Sequence, residues 1–378
     1  MTKIINCNVN TRQANWRWQF YRLPKIRMLR HFVYFLILKI RNLFCNTANH
    51  WPEQKSEIAR KKRILIIRPD HIGDFLLSLP GIMVLMELDR DEYSLEIVIN
   101  PCNKSIVEQL NIFDQVFVFN AIGEKGNKLL PSFSEYQNLS NLIGPIDYLI
   151  NMLSDRYTLH LDFWLIKNIA SGISYLNPKS QKKMSESNYQ FLSETAKRIS
   201  HIPIKNQKHY VEKAGELLTV KFAGGLPHAC NVIFCPEERS SKKTWPSKKI
   251  GLMVDQLTQT FGHDFTVTIV GHQLPKTPFK HPNLFDFRGL TSIEEVFAMI
   301  ATSSLFIGFD SGLTHFSSMV GTPSISIFNG ATDPDAWGSI ARGNNLVILA
   351  PSHDVNPSPH KVIEIAKNIL TKSIKHAE

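Results

Sequence analysis

Cysteine is scarce in this 378-residue chain, and its few copies are scattered. An odd number without a repeated spacing argues against a disulfide framework, and none stands with histidines at the spacing of a zinc site. The cysteines therefore predict reduced thiols and no zinc site, and we expect no cofactor. The five cysteines are Cys7, Cys45, Cys102, Cys230 and Cys235.

Long apolar runs and a Walker-type phosphate loop are also missing. The uninterrupted apolar stretch in the N-terminal region, Phe32 to Leu38, is seven residues long, whereas a helix that spans a bilayer needs about 20. No G-x-x-x-x-G-K-[ST] sequence is present, so the P-loop mode of nucleotide binding is excluded. The hydrophobic fraction of 43% and the charged fraction of 20% are typical of a soluble globular protein.

Positive charge is present in excess, but only at one end of the chain. Residues 1–63 contain 14 Lys and Arg residues against two acids, whereas the remaining chain has a balance of −2. This asymmetry predicts an anionic surface as the partner of the N-terminal region rather than of the body. No nucleic-acid-binding motif and no basic patch on the body are recognisable, so nucleic acid is not the expected partner.

The segment Trp16–Phe44 mixes aliphatic and aromatic residues with arginine and lysine. On a helix its apolar residues gather on one face, Arg27, Arg30 and Arg41 lie to one side, and Trp16 and Trp18 precede it. This pattern is typical of a basic amphipathic helix that lies in a membrane surface. A helix packed on the body with solvated arginines is the alternative.

From Lys61 onward, short apolar strands alternate with helical stretches in two successive series, which indicates parallel βα units. The polar stretch from Asn177 to Lys208 between the series is predicted to be a hinge or flexible loop. The segment before Leu305 predicts a helix with a Thr291–Glu294 capping box. The ten predicted strands are 64–68, 95–100, 115–119, 147–151, 172–176, 231–236, 265–271, 305–310, 323–328 and 346–350.

Ligands of open parallel sheets bind beyond the carboxyl ends of the strands. The first loop at such an end is "RPDHIGDF" (Arg68–Phe75), where Gly73 permits a tight turn and Asp74 is predicted at or near the N-cap of the next helix. An ionised carboxylate there would serve as a general base for a sugar hydroxyl. A purely structural N-cap is the alternative.

The second loop is "DSGLTH", residues 310–315. Ser311 and Gly312 are predicted to begin a helix, whose free N–H groups would bind phosphate, with the Ser311 hydroxyl and His315 as further donors. Asp310 is predicted to accept hydrogen bonds from sugar hydroxyls or to cap the helix. A third stretch, "SSKKTWPSK" (Ser240–Lys248), offers lysines that would neutralise a diphosphate; a solvated basic loop is equally compatible with its composition.

These three stretches together resemble glycosyltransferase family 9, the lipopolysaccharide heptosyltransferases. The motifs are "ILIIRPDHIGDFLLSLPGI", "KKTWP" and "DSGLTHFSSMVGTPSISIFNGATDPDAWG". The resemblance implies an α/β fold of the GT-B type, in which two Rossmann-like domains with parallel sheets face each other across a cleft. We predict an N-terminal extension over residues 1–60, an acceptor domain over 61–205, a nucleotide-sugar domain over 206–355 and a C-terminal helix over 356–378.

The resemblance further implies an inverting, metal-independent transfer of a sugar, typically heptose from ADP-heptose, to a lipopolysaccharide core or a related anionic glycolipid. Asp74 matches the catalytic base of the family. Lys243 matches its phosphate-binding lysine. Donor-binding residues implied by the signature are Asp310, Ser311, Gly312 and His315. His71 and Gly73 would lie in the loop on the acceptor side.

The sequence departs from the family pattern at two places. His71 replaces a small residue, and His272 and Gln273 stand where an acid often holds the ribose. Both departures weaken the assignment of ADP-heptose more than that of glycosyl transfer. A nucleotide-sugar epimerase, a family 9 transferase with another donor and a non-catalytic membrane-associated binding protein are the alternatives. The expected location is cytoplasmic, on the inner face of the inner membrane.

Overall fold

A computed structural model describes most of the chain from residue 60 onward. The described residues are 3–6, 60–120, 131, 133–152, 165, 169–175, 183–224, 229–236, 245, 247–262, 265–272, 281–328, 332–342, 346–349 and 358–375. The predicted membrane-docking segment Trp16–Phe44 and the predicted phosphate-binding Lys243 lie outside these residues.

The described residues form two compact units. The first unit draws on Met1–Asp70, Leu88–Lys104 and Asn111–Asn177. Its sheet has the strand order β1-β4-β3-β2-β5-β6, and every neighbouring pair is parallel. These strands are β1 (Lys3–Asn6), β2 (Lys62–Arg68), β3 (Tyr93–Ile99), β4 (Gln115–Val118), β5 (Ile146–Asn151) and β6 (Ile169–Tyr175).

The second unit draws on His71–Glu87, Ser105–Leu110 and Pro178–Glu378. Its sheet is also parallel throughout, in the order β12-β11-β10-β7-β8-β9. The strands are β7 (Ala229–Cys235), β8 (Thr266–Ile269), β9 (Leu284–Asp286), β10 (Ser303–Phe309), β11 (Ser324–Ile327) and β12 (Leu346–Leu349).

Helices separate the strands of both sheets. They are α1 (Ile72–Leu85), α2 (Lys104–Leu110), α3 (Phe133–Ile143), α4 (Met184–Ile199), α5 (Gln207–Ala223), α6 (Ser247–Phe261), α7 (Ile293–Ala301), α8 (Gly312–Val320), α9 (Pro334–Trp337) and α10 (Pro359–Lys375). Within the second unit, α1 packs on α4 and α5, and α8 packs on α1 and α5. No helix in the described part of the chain is long and apolar enough to cross a membrane.

The central strands contain uninterrupted apolar runs, because helices cover both faces of a parallel sheet. In the first unit, Ile64, Leu65, Ile66 and Ile67 of β2 have no exposed surface. In the second unit, the segment 305–307 of β10 is equally buried. The predicted α/β architecture with two parallel sheets is therefore confirmed, and all ten predicted strands are present with ends that shift by a few residues.

Two strands among the described residues were not predicted, and both are edge strands. Lys3–Asn6 pairs with β4 at one edge of the first sheet, although the sequence placed residues 1–60 outside the body. Leu284–Asp286 is three residues long and pairs with β8. Leu284–Asp286 is shorter than the roughly four residues that an alternating pattern needs, and Lys3–Asn6 only just reaches that length. The predicted domain boundaries stay predictions.

The polar stretch after Asn177 is mostly helical where it is described, so the prediction of a flexible loop was wrong. Helix α4 buries Leu192 and Ala196 together with the polar residues Ser185 and Asn188. Helix α4 contacts α1, where Gly81 lies so close that an added Cβ would be 2.7 Å from Leu192 Cδ1. The polar composition of α4 concealed a buried helix face.

The capping box of α7 also differs from the prediction by one residue. Ser292 is the N-cap, its hydroxyl accepts from Glu295 N at 3.2 Å, and Glu295 Oε2 accepts from Ser292 N at 2.7 Å. The predicted Thr291–Glu294 pair has the same three-residue spacing. Two overlapping Ser/Thr–Glu pairs were therefore compatible with the sequence, and the hydrogen bonds select the second.

Candidate functional site

Two helix starts in the second unit come together at the residues that the sequence singled out. Helix α1 begins at Ile72, with His71 as its N-cap, and helix α8 begins at Gly312, with Ser311 as its N-cap. Neither N-cap side chain makes a capping hydrogen bond. The first N–H groups of a helix have no partner within it, so each start carries about half a positive charge.

Glycines allow the two helix starts to touch. A Cβ added to Gly73 would lie 3.0 Å from His315 Cδ2 and 3.4 Å from Gly312 Cα. A Cβ added to Gly312 would lie 3.1 Å from both Gly73 N and Ile72 Cγ2. Because ordinary carbon contacts are about 3.5–4.0 Å, neither position accepts a side chain without movement. Two positive helix ends therefore lie side by side, which favours an anion.

Asp74 was predicted at or near the N-cap, and it lies in the first turn of α1 as the third helical residue. The helix begins earlier than expected because His71 takes the extended conformation of an N-cap. The Asp74 side chain is partly exposed, and its charge acts on buried His315. One turn later, Ser78 Oγ donates to the Asp74 carbonyl at 2.7 Å, and Asn188 Nδ2 donates to Ser78 Oγ at 3.3 Å.

In the first unit, the chain that leads to α1 is held by a buried polar cluster. Arg68, which is 3% exposed, pairs with Asp70 Oδ2 at 3.1 Å and donates to the Met152 carbonyl at 3.0 Å. Asn103 Nδ2 donates to the Asp70 carbonyl at 2.8 Å, and Asn100 Nδ2 donates to the Pro69 carbonyl at 3.4 Å. These bonds fix the backbone of the turn after β2.

Asp310 directly follows β10 and is buried, and its backbone N–H donates to the Ile327 carbonyl of the neighbouring strand. Its Oδ2 accepts a hydrogen bond from Thr332 Oγ1 at 2.5 Å. Ser311, and not Asp310, is the N-cap residue of α8. The hydrogen bond from Thr332 therefore fixes the orientation of the Asp310 carboxylate.

The Ser311 hydroxyl is the polar group at this site that most clearly lacks a partner. Its Oγ is buried and makes no hydrogen bond within the described residues. A buried hydroxyl without a partner costs about 1–3 kcal/mol. A ligand oxygen beside the start of α8 would remove that cost.

His315 lies one turn into α8 and is 6% exposed. Its Nδ1 is 2.7 Å from Ser339 Oγ, which is also buried. Burial lowers the pKa of His315 below its usual value, whereas the nearby carboxylates of Asp310 and Asp74 act in the opposite direction. The lowered pKa keeps the imidazole neutral at neutral pH, with one N–H to donate.

The structure thus brings most of the predicted site residues into one compact unit. His71, Gly73 and Asp74 at the start of α1 belong with the α8 residues Asp310, Ser311, Gly312 and His315. Lys243 and its neighbours lie outside the described residues. In the part of the chain that is described, no group of three His, Cys, Asp or Glu residues could hold a metal ion.

Two residues of this neighbourhood were missed by the sequence reasoning, Thr332 and Ser339. Thr332 lies in "GATDPDAWG", the last part of the third family motif, and Ser339 follows it directly. Helix α9 separates them: Asp333 caps it, and Pro334 is its first residue. The TDP sequence was a local signal for that helix start, but nothing local indicated that the segment contacts Asp310 and His315.

Comparison with solved structures finds the same type of fold, GT-B, in several other proteins. A glycosyltransferase family 9 protein from Veillonella parvula has a TM-score of 0.59 and 17% identity, covering 84% of this chain and 100% of that one. Heptosyltransferase WaaC from E. coli, solved with ADP, has a TM-score of 0.60 and 15% identity, covering 81% and 99%.

A UDP-N-acetylglucosamine 2-epimerase, described as putative, from Listeria monocytogenes has a TM-score of 0.51 and 13% identity, covering 84% and 90%. At these identities the likenesses establish the fold alone. They do not separate a transferase from an epimerase, because both kinds of enzyme use this fold. A search of curated protein sequences finds no significant match.

The family is decided by sequence. Residues 175–362 match the model of glycosyltransferase family 9 (heptosyltransferase). The matched region includes the whole α8 site from Asp310 to His315, together with Thr332 and Ser339. Residues 175–362 therefore belong to glycosyltransferase family 9, which confirms the resemblance seen in the motifs, and the enzyme is a glycosyltransferase.

Proposed function

We propose that the enzyme transfers heptose from ADP-heptose to a hydroxyl of a lipopolysaccharide core or a related anionic glycolipid, with inversion at the anomeric carbon. The observation that supports this most strongly is the contact between the starts of α1 and α8. That contact brings positive helix ends, an unpartnered hydroxyl on Ser311 and two carboxylates into one place. A diphosphate needs the first two features, and hydroxyl activation needs a carboxylate.

The donor diphosphate would bind at the start of α8. The Gly312 backbone permits close approach, Ser311 Oγ gains the partner that it lacks, and neutral His315 donates from Nε2. Asp310, held by Thr332, would accept from sugar hydroxyls, since a carboxylate oriented toward a phosphate would repel it. Lys243 is proposed as a point charge on the diphosphate from its motif alone.

Asp74 is the proposed general base. Its carboxylate would take the proton of the acceptor hydroxyl while that oxygen forms a bond to the anomeric carbon from the face opposite the diphosphate. The bond from the anomeric carbon to the diphosphate oxygen breaks, and ADP leaves with the electron pair. Fixed N–H dipoles at the helix starts would stabilise the charge that develops on ADP.

Substitution of the base tests this mechanism. We expect Asp74→Asn to lower turnover by about 10²–10⁴-fold, the usual contribution of a general base, with little change in ADP affinity. Glu87→Gln removes an exposed carboxylate just beyond the other end of the same helix and serves as the control. An Asp74→Asn enzyme with parental turnover would remove Asp74 from the mechanism.

The nucleotide is tested by thermal stabilisation. Ligand binding at 100 times the dissociation constant stabilises the native state by about 2.7 kcal/mol, which raises Tm by roughly 5–10 °C for domains of 150–250 residues. ADP should therefore raise Tm more than UDP or GDP at equal concentration. A larger shift with UDP or GDP would assign another donor.

The sequence left a nucleotide-sugar epimerase open as the alternative to a transferase, and a protein with a similar fold is described as a UDP-N-acetylglucosamine 2-epimerase. Incubation with the nucleotide sugar alone separates the two functions. An epimerase changes the configuration of the sugar without any acceptor. A transferase releases nucleotide only slowly until a glycolipid acceptor is added.

The basic segment Trp16–Phe44 is proposed to hold the enzyme at a membrane surface where its acceptor lies. Each arginine near an anionic surface contributes about 1 kcal/mol. Replacing Arg27, Arg30 and Arg41 with glutamine should therefore weaken binding to phosphatidylglycerol-containing vesicles by roughly 100-fold. A matched control replaces Lys361, Lys367 and Lys372 of α10 with glutamine, and equal weakening in both variants would contradict the assignment.

A further inference from the structure

The His315 ring is restrained on two sides by different parts of the second unit. On one side, Cδ2 packs against the backbone at Gly73, where an added Cβ would be only 3.0 Å away. On the other side, Nδ1 is 2.7 Å from Ser339 Oγ. Ser339 is 7% exposed and follows the short helix α9, so neither partner of this hydrogen bond is open to bulk water. Within the described residues, this is the one hydrogen bond of the ring.

A neutral imidazole carries its proton on one ring nitrogen, and the partner of the other nitrogen decides which. Ser339 can act in either sense, because a hydroxyl both donates and accepts. If Ser339 donates to Nδ1, the proton resides on Nε2, which can then donate to an anion. If Ser339 accepts from Nδ1–H, Nε2 presents a lone pair, which an anion would repel.

We propose that Ser339 is a positioning residue that donates its hydroxyl hydrogen to Nδ1 of His315, thereby fixing the imidazole proton on Nε2 for a diphosphate at the start of α8. This inference rests on the proposed function, since it takes a diphosphate as the ligand of the site. The positive starts of α1 and α8 favour an anion there, and the anion in turn favours the tautomer with a donor at Nε2. Ser339 need not touch the ligand.

The tautomer can be read directly in the free enzyme. We expect long-range ¹H–¹⁵N correlation spectra of the full chain, labelled at its 14 histidines, to show a protonated Nε2 and an unprotonated Nδ1 for His315. The His315→Gln spectrum identifies the signal. Ser339→Ala should shift His315 to a mixture of tautomers, and Ser339→Thr should restore the parental pattern. A protonated Nδ1 in the parent enzyme would overturn the proposal.

Ligand binding gives the second measurement, with ADP as the probe. Loss of one neutral hydrogen bond changes an equilibrium by about 2- to 10-fold, so we expect Ser339→Ala to weaken ADP binding by that factor. In His315→Gln, whose amide N–H needs no tautomer, the same substitution should have no further effect. The control is Ser318→Ala. It removes a different buried hydroxyl, which lies in α8 and donates to the Thr314 carbonyl, and it should leave ADP affinity unchanged.

The two measurements separate failure of this proposal from failure of the proposed function. Equal losses from Ser339→Ala in the parent and in His315→Gln would show that Ser339 acts independently of His315, which overturns the proposal. If ADP does not bind the parent enzyme, the proposed donor is wrong. The spectra of Ser339→Ala and Ser339→Thr then decide the tautomer by themselves.

Discussion

The contact between the two helix starts predicts that a single methyl group at Gly73 will damage the site more than the fold. An alanine Cβ would lie 3.0 Å from His315 Cδ2 and 3.4 Å from Gly312 Cα. Ordinary carbon contacts are about 3.5–4.0 Å, so the ring or the helix start must retreat by roughly 0.5 Å. The ring is buried and bonded to Ser339, so its retreat disturbs that hydrogen bond.

The stability cost of Gly73→Ala is expected to be small. Overpacking of this kind costs about 1–3 kcal/mol, and the better helix propensity of alanine returns up to about 1 kcal/mol. The effect on the site is expected to be larger, because a misplacement of about 1 Å in a catalytic group lowers rates by roughly 100-fold. We therefore expect Gly73→Ala to weaken ADP binding and to lower turnover by about 10- to 100-fold.

The assay compares Gly73→Ala with Gly81→Ala, a substitution of the same kind two turns later in α1. A Cβ at Gly81 would meet Leu192 Cδ1 at 2.7 Å and the Asn188 carbonyl at 3.1 Å, away from His315. Gly81→Ala should lower Tm while the protein that stays folded binds ADP normally. Parental ADP affinity and turnover in Gly73→Ala would show that the contact with His315 is absent from the working enzyme, which refutes the reasoning.

Two further predictions concern buried charges. In the first unit, Arg63 Nε and Nη2 each donate at 2.6 Å to Glu96, whose side chain is 1% exposed. Arg63→Met leaves that buried carboxylate without its partner, so it should lower the free energy of unfolding in urea by about 3–5 kcal/mol. The double variant Arg63→Met/Glu96→Leu should recover most of this loss. A double variant as unstable as the single one would contradict this account. In the second unit, burial lowers the pKa of His315 in the folded state below its unfolded value of about 6.5. The unfolded state therefore binds the proton more readily, and the stability of the fold should fall as the pH falls below about 6.5. Unfolding measured against pH should be less acid-sensitive in His315→Gln, and identical profiles would mean that His315 is not the group responsible.

The strand pattern was readable from sequence because both sheets are parallel and covered on both faces. Short continuous apolar runs such as Ile64–Ile67, bounded by turn signals, are typical of strands that are buried on both faces. Helix α4 was not readable, because its buried face includes Ser185 and Asn188. The sequence alone does not distinguish a buried serine or asparagine from an exposed one, because the difference lies in the residues that pack against it.

The candidate site divides in the same way. The start of α8 was predicted from local chemistry, since a serine and a glycine after a buried strand mark a helix N-terminus wherever they stand. The start of α1 was placed correctly only to within a few residues, because the N-cap depends on the backbone conformation of His71. Its contact with His315 lies far beyond any local pattern.

The sequence by itself determined the two parallel sheets, the helix start at Gly312 and the family to which residues 175–362 belong. Each of these follows from patterns of residues that are close together in the chain. Only the tertiary structure decided that Gly73 packs against His315, that Thr332 orients Asp310 and that Ser339 bonds to the imidazole. These partners are separated by between 22 and 242 positions in the chain. The physical reason is that hydrogen bonds and packing depend on distance in space, which the order of residues fixes only after the chain has folded.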